Sequence, residues 1–362
     1  MSKKINFYVL VVLSLLFLPS IQKVNASEFN FSVETIIPEN QINNNVSYFD
    51  LLLSPSEEQT IYVLLKNETE NEVIVETLVA SATTNQNGVV EFSPRDVDRD
   101  LTLIYALEEI IDIENEILLL PYSQYLLPVE IIMPSDEFKG LIVGGITFRE
   151  KIVDVGENDE DNGMTIRNLF EFVVGVVLQN DELASFEIIP DLKLLDVFAS
   201  QINLRNVIVA HVQNIKPNFL RAMEIEAIIH KDGESDVLYE LHIFSEQLWR
   251  MAPNSNIEIP IKLNGAALSP GEYVIDLTIK SKHKINHEKE DYLEWNWLEK
   301  FEISKEDAIH YNENAVDIEE ETSRISIVTL ILLFLILLII ILLIVLIFLL
   351  KKFKKNEDKT TE

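Results

Sequence analysis

Apolar and polar residues alternate with a period of two through most of this chain, the pattern of strands that bury one face. Phe29, Phe31 and Val33 alternate with polar partners. Gln59 to Lys66, Val73 to Ala82, Val129 to Met133 and Gly140 to Arg149 follow, rich in Val, Ile, Tyr and Thr and separated by Asn, Asp, Gly or Pro. Asn87-Gly88 predicts a tight turn, whereas Leu103 to Ile117 fits a helical and a strand period equally well. The alternation breaks between Val153 and Thr165, where Gly156, Glu157, Asn158, Asp159, Glu160, Asp161, Asn162 and Gly163 form a charged run that cannot bury a core. Strand patterns resume at Phe170 to Gln179 and recur at Asn206 to Val212, Ala222 to His230, Val237 to Ser245, Ile257 to Leu263, Tyr273 to Ser281 and Leu293 to Ile303. The expected fold is mainly β, with two Ig-like β-sandwich domains at residues 27–150 and 165–305 and an acidic linker between them at residues 151–164.

Two long apolar runs change this picture at the ends. Lys3 and Lys4 precede an apolar stretch from Ile5 to Leu18, and Val24-Asn25-Ala26 offers small residues for cleavage, so residues 1–26 read as a signal peptide. Ile327 to Leu350 carries no charge, and at about 1.5 Å per helical residue it reaches roughly 36 Å, enough for a bilayer core of about 30 Å. Residues 327–350 are therefore expected to be a C-terminal transmembrane helix, preceded by a juxtamembrane stalk at residues 306–326. Lys351, Lys352, Lys354 and Lys355 crowd one end of the span and Glu319, Glu320 and Glu321 lie before the other, which places the tail, residues 351–362, in the cytoplasm. The expected location is the cell membrane, single-pass, with the N-terminal portion extracellular. So short a tail cannot fold into a catalytic domain, and function is assigned to the outer portion.

Charge and composition narrow the function classes further. A formal net charge of −31 repels phosphate backbones and argues against nucleic-acid partners. The chain has no cysteine, which removes disulfides and thiol chemistry together and favours a bacterial surface protein over an animal ectodomain. Sequons such as Asn67-Glu68-Thr69 and Asn45-Val46-Ser47 matter only in a glycosylating pathway. Asp96, Asp98 and Asp100 alternate like the opening of a calcium loop, yet Leu101 and Leu107 stand where the loop needs Gly and a bidentate Glu, so a solvated acidic turn is expected. His283 and His287 are four apart, but three lysines surround them and no third ligand recurs at a metal-like interval, so a wet, polar hairpin is expected. Trp295 and Trp297 alternate on a strand and share a face, placed either to grip a sugar ring or partner chain or to pack a sheet. No G-x-S-x-G, H-E-x-x-H or Walker signature is present. The expectation is no enzyme, no cofactor and no metal.

A series of ordered motifs carries a resemblance. Pro38-Glu39-Asn40-Gln41, Tyr48-Phe49-Asp50-Leu51, Asn67 after a strand, Ala82-Thr83-Thr84-Asn85-Gln86-Asn87-Gly88 and the stretch Gly140 to Phe148 resemble the first domain of the WxL-interacting proteins of Gram-positive bacterial surfaces. Met251-Ala252-Pro253-Asn254-Ser255-Asn256, Pro270-Gly271-Glu272-Tyr273 and Trp295-Asn296-Trp297 leading to Phe301-Glu302-Ile303 resemble that family's second domain. Ile257 and Phe92 depart from the pattern but stay apolar. The resemblance implies a first domain that binds peptidoglycan. It implies a second domain that engages WxL-domain surface proteins and host matrix or surface proteins, without naming side chains for either role. No L-P-x-T-G signal precedes the span, so the helix is the expected anchor. The alternatives are a wall-glycan-active enzyme built on a carboxylate pair, or a membrane-tethered surface sensor.

Overall fold

The computed structural model describes residues 29–151, 170–284, 290–318 and 327–357, with side chains omitted at 284, 290, 327–330 and 348–357. The expected signal peptide, the acidic run from residue 152 onward, His287 and the end of the tail lie outside the described residues. The chain divides into two compact units. The larger comprises Met1–Phe198, Ile208–Ile261 and Glu272–Glu302, the smaller Ala199–Val207, Lys262–Gly271 and Ile303–Glu362.

The larger unit opens with a β-sandwich. One sheet has the order β1-β3-β9-β7, built from β1 (Ser32–Ile36), β3 (Glu58–Lys66), β9 (Gln124–Ile132) and β7 (Ile111–Ile113). The other has the order β2-β11-β10-β4-β8, from β2 (Phe49–Leu52), β11 (Glu171–Gln179), β10 (Ile142–Glu150), β4 (Val73–Ser81) and β8 (Glu116–Leu119). The period-two pattern does what it predicts. Ile61, Val63 and Leu65 from one sheet and Ile146, Phe148, Val176 and Leu178 from the other are buried in a single core. Leu103 to Ile117, ambiguous by period, contains a short 3₁₀ turn at Leu107–Glu109 and then β7, so neither long element forms. The Asn87-Gly88 turn joins the two-stranded ribbon of β5 (Thr83–Thr84) and β6 (Val90–Glu91). Gly88 has φ +68°, and its N–H donates to the Asn85 carbonyl at 3.0 Å.

The acidic run plays a different part from the one its composition suggests. Strand β11, which follows it, pairs antiparallel with β10, which precedes it, in the register Arg149↔Glu171 to Ile142↔Leu178. The strand expected to open the second domain is therefore paired within the first sandwich, and the expected linker falls between two neighbouring strands of one sheet. The physical reason is burial: Val174, Val176 and Leu178 are apolar on one face and are covered only by the first core.

The second sandwich follows. Its sheets have the orders β12-β13-β17 and β15-β14-β18-β19, with β16 also on β14. The strands are β12 (Leu192–Ile202), β13 (Arg205–Asn214), β14 (Leu220–Lys231), β15 (Tyr239–Ile243), β16 (Trp249–Met251), β17 (Ser255–Lys262), β18 (Gly271–Lys284) and β19 (Glu290–Ile303). Ile225, Ala227 and Ile229 alternate into the core beside Ile275, Leu277 and Ile279 of the neighbouring strand. A short helix α1 (Ala184–Glu187) precedes this sandwich.

In the smaller unit, α2 (Lys305–Asn314) is capped by Ser304, whose hydroxyl accepts from the Asp307 N–H at 3.0 Å. Asn312 fixes that helix. Its Nδ2 donates to the Leu268 carbonyl at 2.9 Å and its Oδ1 accepts from the Leu268 N–H at 2.8 Å. The stretch expected to be a stalk therefore begins as a helix hydrogen-bonded to the loop just before the Pro270-Gly271 turn. Helix α3 spans Ile327–Glu357. Among the described residues no helix is long and apolar enough to cross a membrane. The part of α3 with described side chains, Ile331 to Ile347, rises only about 25 Å.

Candidate functional site

Two of the sequence motifs, one from each sandwich, meet inside the larger unit. The Thr84 hydroxyl lies 2.8 Å from the Ser255 hydroxyl and accepts from the Ala252 N–H at 2.9 Å. Ala82, Leu141, Val143, Ala184 and Ala252 form a small apolar cluster beside this contact. At the ribbon tip the Gly88 carbonyl accepts from the Arg250 N–H at 2.8 Å, and a Cβ on Gly88 would stand 2.3 Å from the Trp249 ring. Gly140, at φ +119°, lies against Pro217 in the same way. These turns are specified by close backbone approach between the sandwiches.

Asp100 belongs to this seam. Its carboxylate is buried and accepts from Gln213 Nε2 at 2.8 Å, Asn256 Nδ2 at 2.7 Å, and the Thr102 N–H and hydroxyl at 2.7 and 2.5 Å. The expectation of a solvated acidic turn is corrected for this residue, because amide donors replace the water around it. Among the described residues no group of three or more His, Asp or Glu side chains could hold a metal ion.

A groove of about 990 Å³ opens beside Asp100. Asn85, Gln86, Asn87, Asp96, Asp98, Glu108, His211 and Glu258 line it together with Arg95 and Arg99. Asn85 accepts from the N–H groups of Asn87 and Val89 through its side-chain oxygen, which holds the ribbon tip open at the rim. Amides and carboxylates in this density suit a ligand rich in hydroxyls and amides.

Trp295 and Trp297 share the face of edge strand β19 that also carries buried Phe301 and Ile303. Both are half-buried, and the Trp295 indole N–H donates to Asp191 Oδ1 at 3.1 Å. Trp295 reaches a shallow groove of about 640 Å³ with Ile188, Pro190 and Pro217, which Trp297 does not line. His283, expected in a wet hairpin, is instead buried, with Nε2 3.2 Å from the Phe186 carbonyl oxygen.

Sequence reasoning passed over a third and larger groove, of about 1240 Å³. Tyr48, Asp50, Arg221 and Arg250 line it among Phe172, Val173, Phe219 and Leu248. Burial pushes the Asp50 carboxyl above the usual carboxylate range, opposed by the hydrogen bond from Gln179 Nε2 at 3.1 Å. Burial also raises the Tyr48 phenol, with Asp50 adding to the shift and both arginines opposing it. Because the folded protein binds the Asp50 proton more tightly than the unfolded chain, stability falls as pH rises from the ordinary aspartate pKa through the raised one. Asp50→Asn is expected to remove that part of the fall, read as a urea midpoint that changes less between mildly acidic and neutral pH than in the parent.

A family model described as the WxL Interacting Protein, peptidoglycan binding domain, matches residues 31–150, and one described as the WxL Interacting Protein, host binding domain, matches residues 161–313. No curated protein matches the chain. Among solved structures it is similar to a chain of a chaperone–tip adhesin complex of CFA/I fimbriae, at 11% identity and TM-score 0.29 over 74% of this chain and 98% of that one. It is also similar to the Class 5 fimbriae chaperone CfaA, at 12% identity and TM-score 0.27 with the same coverages of 74% and 98%. A third is a chain of the Salmonella enterica SafA pilin in complex with the SafB chaperone, at 7% identity and TM-score 0.28 over 76% and 98%. The sandwich architecture rests on the strand pairing itself.

Proposed function

Since the chain belongs to the WxL-interacting protein family, with its peptidoglycan-binding and host-binding domains in tandem, we propose that it is a membrane-anchored, non-catalytic adaptor. It links the cell wall to WxL-domain surface proteins and host proteins. The tandem match over residues 31–150 and 161–313 carries this reading. The polar groove beside Asp100 is the wall-binding site, because its amides and carboxylates complement the hydroxyls and amides of glycan strands and their stem peptides. The Trp295 face of β19 receives the protein partner, since an edge strand offers backbone hydrogen bonds together with an aromatic anchor.

The anchor is α3, placing the sandwiches outside the cell. Every described side chain from Ile331 to Ile347 is apolar and exposed, on all sides of the helix. A helix apolar all round needs an apolar surrounding, which a bilayer provides. Wall and lipid attachments then reinforce each other.

Sedimentation with purified, insoluble peptidoglycan tests the wall role. The full chain in mild detergent is expected to sediment, and a fragment ending after Asn180, which keeps Asn85 to Glu108 but loses His211 and Glu258, to sediment more weakly, while a fragment beginning after it stays in solution. If none of the three sediments, the wall assignment is wrong.

A further inference from the structure

The groove of about 1240 Å³ holds two guanidiniums, Arg221 and Arg250, in a chain of net charge −31. Among the described residues neither the Arg221 nor the Arg250 guanidinium makes an ion pair or a side-chain hydrogen bond. The nearest relief for Arg221 is the Phe219 ring, 5.7 Å from its guanidinium carbon. Burial and the like charge of Arg250 together lower the Arg221 pKa, so the two guanidiniums feel each other. Guanidiniums are strong, forked donors that seldom stand idle beside so many carboxylates.

The backbone aims them there. Strand β14 bulges between Arg221 and Glu224, and Ala222 within that bulge has φ +46°. A bulge re-aims the side chain beside it, and positive φ at a residue with a Cβ is strained. Leu248, also in the groove lining and two residues before Arg250, has φ +56°. Strain on both cationic arms points to a site that the surrounding structure holds in place.

The opposite wall is an open strand edge. Strand β2 pairs in parallel with β11 only from Val176↔Phe49 to Gln179↔Leu52. Before that point, Glu171 to Gly175 pair with β10 on one side and have no strand partner among the described residues on the other. A strand added there in the direction of β2 must end where β2 begins, at Tyr48 and Phe49. A continuing chain would run into β2, whereas a chain end stops there, against the groove that Tyr48 shares with both arginines. The reverse direction would bring a positive N-terminus to the arginines. The apolar residues Phe172, Val173, Phe219 and Leu248 favour a polypeptide over a hydrophilic polymer.

We propose that this groove binds the C-terminal segment of a partner polypeptide, which adds a short strand along Phe172–Gly175 and places its terminal carboxylate between Arg221 and Arg250. The site is separate from the polar groove and from the Trp295 face, and it stands whether or not the chain binds peptidoglycan or host proteins.

The test uses the full chain in mild detergent and fluorescence anisotropy of a short alternating valine–threonine peptide labelled at its N-terminus. One form carries a free C-terminal carboxylate and a second a C-terminal amide. A third is amidated with glutamate as its penultimate residue. The free acid is expected to bind about tenfold or more tightly than the amide, the size expected of hydrogen bonds to a charged group. Arg250 is exposed, so R250Q leaves the fold intact and is expected to reduce binding of the free acid to the level of the amide. Amide hydrogen exchange at Val173 to Gly175 should slow only with the free acid. Equal binding of acid and amide, binding of the glutamate peptide as tight as the acid, displacement by inorganic phosphate at millimolar levels with no protection of Val173 to Gly175, or no binding of any peptide would each overturn the proposal.

Discussion

A fragment of this chain ending at Glu150 is expected not to fold, and one ending after Asn180 is expected to fold. The difference is β11. In the second sheet it lies between β2 and β10, and removing it exposes the edge of β10 while leaving β2 with no strand to pair with. It also removes Val174, Val176 and Leu178 from the core, where all three are buried. Burying a Val or Leu side chain contributes roughly 1.5–3 kcal/mol, so these three supply about 4.5–9 kcal/mol before any backbone pairing is counted. That is comparable to the roughly 5–15 kcal/mol that holds a whole domain together. Circular dichroism and urea unfolding of the two fragments decide the matter. A cooperative transition in the shorter one would mean that the first core closes without β11.

This expectation inverts a boundary that the sequence alone suggests, and the reason is physical. The run from Gly156 to Gly163 cannot be core, which composition shows, but composition is silent on whether such a run joins two domains or two strands of one sheet. The alternation at Phe170 to Gln179 identifies a strand and its buried face, while its partners are chosen by complementarity with a core built from residues more than a hundred positions earlier. Other features were legible for local reasons. Asn87-Gly88 reads as a turn because a positive φ is cheap there, and the ordered motifs identify the family. What those motifs do was not legible, because Thr84 and Ser255 touch across 171 positions of sequence. The same holds for Arg221 and Arg250, ordinary in sequence and distinguished by having no ion-pair partner among the described residues. Trp295 and Trp297 were placed on one face by their spacing, but the Asp191 partner of Trp295 depends on how strands β12 and β19 are brought together.

Asp100→Ala is expected to destabilise the larger unit by about 3 kcal/mol, more than any change on its exposed surface. Asp100 is 8% exposed, and its carboxylate accepts from four donors: the Gln213 and Asn256 side-chain amides and the Thr102 N–H and hydroxyl. Truncation removes the charged acceptor of two part-buried amide groups, and each hydrogen bond to a charged group contributes about 1.5–3 kcal/mol. The loss is not local to one sandwich, since Thr102 lies in the sequence of the first and Gln213 and Asn256 in that of the second. Asn254 Nδ2 also depends on the Thr102 hydroxyl, at 3.0 Å, for one of its hydrogen bonds. The variant should therefore lower the urea midpoint and separate one transition into two, as the sandwiches cease to support each other. Asp100→Asn keeps the shape but turns an N–H toward other N–H donors, so it should recover only part of the loss. If Asp100 instead served a bound cation, a chelator would shift the parent protein's midpoint toward that of the variant. With the Gln213 and Asn256 amides and Thr102 filling its surroundings, no such shift is expected.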